Sequence, residues 1–171
     1  LGRRAAAELE SARRDIAATF GSRVRPSEIV LTAGGTEANQ LALLGIAEGV
    51  RLRESKRNRV LISSIEHDSI LDNVPLLHAA GFSVDYLNPN RSGVVTVDEL
   101  SAHIAGDVAL VSVMFANNET GVVQPVHNLA SLAHEHGACF HTDAIQGYLH
   151  LSFDVEALGV DAMSVAGHKI G

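Results

Sequence analysis

The sequence predicts an α/β domain built on an open, mostly parallel sheet with helices on both faces. Three observations carry that expectation. Short apolar, β-branched bursts alternate with stretches at helical spacing, as strand–helix–strand units do. The bursts are near-continuous in apolar residues, which is how strands covered on both faces read. Each polar cluster follows a burst at its carboxyl end, where open parallel sheets gather ligands: GGTE (34–37), EHDS (66–69), NNETG (117–121), HTDAIQ (141–146) and GHK (167–169).

The elements follow in chain order. Residues 2–19 place Ala5, Leu9, Ala12, Ile16 and Phe20 at helical spacing, and Gly21 ends the run. After the turn at Arg25-Pro26-Ser27, EIVLT (28–32) is a β-branched burst that predicts a first buried strand. A glycine turn then opens a helix with Leu41, Leu44 and Val50 on its apolar side. RVLISS (59–64) predicts the second strand, and 66–81 a helix that Pro75 kinks or restarts. FSVDYL (82–87) is the third strand, NPNRSG a turn, and 96–104 a short helix with Asp98 and Glu99 near its start. DVALVSVMF (107–115) is the fourth strand, 125–137 a helix closed by Gly137, and ACFHTDA (138–144) the fifth strand. A brief helix at 154–158 precedes VDAMSVAG (160–167), a sixth strand that delivers His168 and Lys169.

The 171 residues fit one α/β domain with a sizeable core. Apolar residues make up 46% and charged residues 19%, which excludes a disordered or collagen-like chain. No apolar run approaches the ~20 residues of a membrane span. The chain opens on an amphipathic helix rather than on a secretory leader. The single Cys139 leaves no internal disulfide framework and fits a reducing cytoplasm. A net charge of −7 speaks against nucleic acid or anionic lipid as main partner. The charge is also uneven, because 12 of the 13 Lys and Arg residues lie at or before Arg91. Beyond it, nine acids face the single base Lys169.

That isolation makes Lys169 a candidate imine-forming amine, because an apolar setting disfavours the charged ammonium. Asp143 lies at another strand end of the same acidic half. Gly34-Gly35-Thr36 lets backbone amides at a helix start approach an anion, although a plain glycine turn with a Thr cap would look the same. An imine lysine, a carboxylate for a ring nitrogen and an anion cradle are what pyridoxal phosphate requires. His67 is either a loop cap or a ring stacked on a flat cofactor. Asn117, Asn118 and Gln146 are turn residues or amide donors. His134, His136, His141 and Cys139 match no closed zinc spacing and cross a helix–strand boundary, so no metal site is assigned. Cys139 reads as a small core residue.

Together, TAGGTEAN, SSIEHDSIL, FANNETGVVQP, HTDAIQ and MSVAGHK resemble the cysteine desulfurases, pyridoxal-phosphate enzymes of fold-type I in the class V aminotransferase superfamily. The blocks keep family order and spacing across essentially the whole chain. The resemblance implies a large cofactor-binding domain over 1–171, with the N-terminal arm and C-terminal small domain lying outside it. It implies that Lys169 forms the imine with the cofactor and removes the substrate Cα proton. It also implies that Asp143 pairs with the pyridinium nitrogen and that Gln146 donates to the phenolic oxygen, with Asn118 close to that oxygen and to the substrate carboxylate. His67 would stack on the ring and serve as acid/base for the substrate thiol, while Gly35, Thr36 and His168 would hold the phosphate. The substrate would be L-cysteine, the assembly a homodimer, and the product a persulfide passed to a sulfur acceptor or scaffold protein for iron–sulfur or thio-cofactor assembly.

Two departures qualify the resemblance. Where the family often has a Ser three residues before the lysine, this chain has Ala166, and Ser164 is a poor substitute. The family's sulfur-accepting Cys lies beyond the lysine on a mobile loop, so Cys139 does not inherit that role. The expectation is therefore a fragment with little turnover of its own. Selenocysteine lyase resembles the same blocks, and alanine release from cysteine against selenocysteine separates the two. A non-catalytic α/β binding module is the reading from a different class, and it predicts cofactor uptake that does not depend on Lys169.

Overall fold

The computed structural model describes residues 2–151 and 154–170. Five strands form one all-parallel sheet: β1 (Arg59–Ser63), β2 (Ser83–Leu87), β3 (Val108–Ser112), β4 (Cys139–Asp143) and β5 (Ala162–Ser164). Their order across the sheet is β2-β1-β3-β4-β5. The order reverses between β1 and β3, which opens a crevice at their carboxyl ends.

The helices α1 (Gly2–Phe20), α2 (Gly35–Arg53), α3 (Asp68–Leu71), α4 (Val74–Ala79), α5 (Val97–His103), α6 (Val126–Glu135) and α7 (Val155–Leu158) complete the domain. Strand residues alternate between two cores. Val60, Ile62 and Leu110 pack with Leu43 and Ala47 of α2 and with Ile70 and Leu77. Leu61, Val111 and Phe140 pack on the other face with Leu100 of α5 and Leu129 and Ala133 of α6. Both faces of the central strands β1 and β3 are covered, which is why their residues between the first and last are all apolar. Pro75 restarts the chain into α4 after α3, as a residue without an N–H suits a first turn. Gly137, at φ +74°, ends the segment after α6.

Two expectations differ. EIVLT forms no strand of the sheet. Residues 26–28 make a 3-10 turn, Val30 is 66% exposed, and the Ile29 carbonyl is taken by the Arg13 side chain instead of a neighbouring strand. β-branched composition signals a surface that fits a sheet, and without a partner strand it gives only extended chain. Of the apolar stripe on α1, Phe20 is buried while Leu9 is 45% exposed, so the helix touches this domain chiefly through its last turn.

Candidate functional site

Three chain segments converge at the carboxyl ends of the strands. The first is the start of α2. Gly34 is its N-cap, in extended conformation, and Gly35 and Thr36 are its first residues, so Thr36 is not the cap. The amides of this first turn have no intrahelical acceptor and point out of the helix start. Glu37 folds back to accept the Ala33 N–H at 2.5 Å. The second segment follows β4, and the third follows β5. A Cβ placed on Gly35 would lie 2.4 Å from Ile145 Cδ1 and 3.6 Å from Ala166 Cβ. All three segments therefore meet at one residue that cannot carry a side chain without displacing Ile145.

Asp143 ends β4 and is buried. Its Oδ1 accepts the Ile145 N–H at 2.9 Å, and its Oδ2 accepts from Asn39 Nδ2 at 2.7 Å. The same Asn39 nitrogen donates to Ser69 Oγ at 2.8 Å, and Ser69 Oγ lies 2.9 Å from His67 Nδ1. The Ser69 backbone N–H also donates to His67 Nδ1 at 3.0 Å, as befits the N-cap of α3. Nδ1 is thus an acceptor, which leaves the proton of the neutral ring on Nε2. A continuous chain of side chains runs from Asp143 to His67. Burial pushes the Asp143 carboxyl above the usual carboxylate range, while the Ile145 amide, Asn39 and His67 act against it. Among the described residues no cation pairs with this carboxyl.

The crevice between β1 and β3 contains a cavity of about 530 Å³. Glu66, His67, Asn117, Asn118 and Glu119 line it. Asn117 is buried and builds the turn, accepting the N–H groups of Glu119 and Thr120 at 3.1 and 2.9 Å. Its Nδ2 donates to the Ile65 carbonyl at 3.0 Å. Asn118 is exposed at the rim. Gln146 is half-buried in the turn after Asp143.

His168 and Lys169 stand in a short 3-10 turn, Gly167–Lys169, beyond β5. Asp143 pairs in register with Ser164 on the neighbouring strand, so the lysine leaves the same end of the sheet as the aspartate. The apolar setting expected around Lys169 is not found: the residue is exposed, in a turn that extends past the last strand. Ser164 turns into the core and bonds His141 Nε2 at 3.0 Å, which removes it as a stand-in for the hydroxyl missing at Ala166. His141 is fully buried between Ser112 and Ser164. Among the described residues no three His, Cys, Asp or Glu side chains gather as metal ligands would. Cys139 is half-buried at the opposite end of β4. Asn39, Ser69 and Glu66 are polar site residues that sequence reasoning missed.

The donor set fits pyridoxal phosphate. Asp143 offers a buried carboxylate with no counter-ion among the described residues, α2 offers free amides to a phosphate, and Gly35 lets the Ile145 segment close against that helix start. The class this defines is a parallel α/β domain with the polar residues of several loops gathered at its strand ends.

The sequence matches the aminotransferase class-V family over residues 1–171, and the chain belongs to that family. Within it, several curated proteins similar to this chain are named cysteine desulfurases. The cysteine desulfurase IscS of Ehrlichia chaffeensis is 37% identical over 169 residues, covering 99% of this chain and 40% of its own length. The human cysteine desulfurase is 39% identical over 164 residues, covering 96% of this chain and 35% of its own. Among solved structures, DndA from Streptomyces lividans superposes with a TM-score of 0.87 at 39% identity over 99% of this chain and 46% of that one. SspA in complex with cysteine superposes with a TM-score of 0.89 at 38% identity over 99% of this chain and 47% of that one. The chain spans less than half the length of these relatives.

Proposed function

We propose that this chain is the cofactor-holding part of a pyridoxal-phosphate-dependent cysteine desulfurase, which takes sulfur from L-cysteine, leaves alanine and forms an enzyme persulfide. The observation that carries the reading is the meeting of the α2 start, the Asp143 turn and the Ala166–Lys169 segment at Gly35, with the buried Asp143 carboxylate facing no cation among the described residues. The similarity to proteins named cysteine desulfurases, and to one solved with cysteine, supports it.

Pyridoxal phosphate supplies an electron-accepting ring once its nitrogen is protonated. Asp143 holds that proton in place by its charge, and Asn39 fixes the carboxylate's orientation. The α2 amides at Gly35 and Thr36, with His168, bind the phosphate. Gln146 and Asn118 orient polar groups at the ring edge and the substrate carboxylate. His67, its Nδ1 occupied by Ser69, presents Nε2 as the atom that passes a proton to or from the substrate thiol. Lys169 supplies the ε-amine that attaches the cofactor and the base that takes the substrate Cα proton. A homodimer, a sulfur-acceptor or scaffold protein for iron–sulfur or thio-cofactor assembly, and a cytoplasmic setting complete the reading. Among the described residues no helix is long and apolar enough to cross a membrane.

The test is covalent chemistry at Lys169. Adding pyridoxal phosphate to the complete protein gives a visible absorbance band, and borohydride fixes the cofactor on Lys169 in a peptide map. Lys169→Ala abolishes the adduct. Equal cofactor uptake by both proteins with no reducible linkage would overturn the assignment.

A further inference from the structure

Glu66 is the buried ionisable group that this reading leaves without a task. It sits beside His67 in the loop after β1, is 6% exposed and lines the crevice cavity. Its Oε1 accepts the Met114 N–H at 2.6 Å, across from the end of β3. Its Oε2 is buried and, within 3.5 Å, meets no hydrogen-bond partner among the described residues, the Ser63 hydroxyl being the polar group nearest in influence. The loop has a second fastening to the same segment, from Asn117 Nδ2 to the Ile65 carbonyl at 3.0 Å. The residues flanking His67 on its N-terminal side are therefore tied to the chain that follows β3.

An ionised Glu66 would place a second buried negative charge close to Asp143, with the Met114 N–H and the Ser63 hydroxyl to balance it and no cation. A protonated Glu66 keeps the Met114 contact, since the carbonyl oxygen accepts and the hydroxyl needs only one acceptor or a water in the cavity. Burial first, and then the negative field of Asp143, push the Glu66 carboxyl up to about 8, with the Met114 amide acting against them. The other groups around it are the Ser63 hydroxyl, His67, Asp68 and Glu119. None of these is a permanent cation.

We propose that Glu66 is a positioning residue held as a neutral carboxylic acid, which fastens the His67 loop to the end of β3 and leaves the buried carboxylate charge at the ring site to Asp143. The second half rests on the reading that Asp143 faces a cofactor ring; the first half does not. The sign of the linkage follows. A group raised from 4.5 to about 8 favours the folded state below pH 4.5 and loses that contribution as pH climbs through 8.

The test uses infrared spectroscopy and exchange on the complete protein without added cofactor. The wild type shows a protonated-carboxyl band at pH 7 that bleaches with a midpoint near 8, and Glu66→Gln lacks it. In Asp143→Asn the same band bleaches at lower pH, because the neighbouring charge is gone. Hydrogen exchange of the 64–69 amides accelerates in Glu66→Ala and stays at the wild-type rate in Glu66→Gln, which keeps the Met114 acceptor. Absence of the band at pH 7 overturns the neutral-acid assignment, and it does so whether or not Lys169 binds a cofactor. Unchanged exchange in Glu66→Ala overturns the fastening. If Glu66→Ala does not fold, accelerated exchange in Glu66→Gln overturns it instead.

Discussion

His141 and Asp143 stand two residues apart on β4, both buried, and their surroundings differ in one respect. His141 is closed: Nδ1 meets Ser112 Oγ at 2.9 Å and Nε2 meets Ser164 Oγ at 3.0 Å, both from adjacent strands. Asp143 is open: two donors hold its oxygens, yet its charge has no cation among the described residues. A polar group whose hydrogen bonds and charge are both balanced serves the fold. One whose hydrogen bonds are complete but whose charge is not awaits a ligand. The same strand therefore passes from structure to chemistry within two residues as it leaves the sheet.

The largest effect tests the closed side. Burial pushes His141 from 6.5 down to about 4, so the folded state keeps it neutral while the unfolded chain protonates first. That stability is present above pH 6.5 and is lost as pH falls through 4, a contribution of about 3 kcal/mol at roughly 1.4 kcal/mol per pH unit. Denaturant unfolding between pH 7 and 4 reads it. A His141→Gln protein, already weaker at pH 7, loses correspondingly less over that range. Equal acid losses in both proteins would break the contrast.

Next comes the open side. Asp143→Asn in the complete enzyme lowers alanine production about 100-fold, the scale of one removed electrostatic contact to a reacting system. Its stability at pH 7 changes by no more than about 1 kcal/mol, because the lost hydrogen bond is offset by relief of a buried charge. Steady-state turnover beside thermal unfolding separates the two. A wild-type rate in this variant removes Asp143 from the chemistry.

A smaller effect belongs to the junction. Gly35→Ala is compatible with helical backbone, so the 2.4 Å approach to Ile145 Cδ1 is the objection to it. Ile145 can rotate away, but only by moving its side chain within the meeting point of the three segments. Cofactor affinity then falls about tenfold, or about 1.4 kcal/mol. Gly35→Ala combined with Ile145→Ala restores it. Fluorescence titration with pyridoxal phosphate measures both, and failure of the second change to rescue would place the loss elsewhere.

Much of the fold was legible because strand and helix periods differ and both sheet faces are apolar. The five strands from Arg59 onward and the helices between them follow that pattern. EIVLT misled because composition reports fitness for a sheet and not the presence of a neighbour. At the site, motif order pointed to Asp143, His67 and Lys169, whereas the network joining Asp143 to His67 stayed hidden. Asn39 lies one helical turn beyond Gly35 and Ser69 two residues beyond His67, and no periodicity marks which polar residue of a helix turns inward. Glu66 belongs to the EHDS cluster, but the partner that holds it inside is the Met114 N–H, 48 residues away.

The smallest effect concerns the other end of β4. Cys139 is the chain's one cysteine, and the proposed sulfur transfer invites giving it the sulfur. Four residues of strand at about 3.3 Å each put it about 13 Å from Asp143. Burial, with the Asp161 charge adding to it, pushes its thiol up, so little thiolate forms near neutral pH. A half-buried thiol at the amino end of a strand has packing to contribute and no access to the crevice. Cys139→Ala therefore costs under about 1 kcal/mol and leaves the rate of persulfide formation in the complete enzyme unchanged. Loss of persulfide with folding intact would move the sulfur chemistry to the wrong end of the sheet, and the division between the closed and open ends of β4 would fall with it.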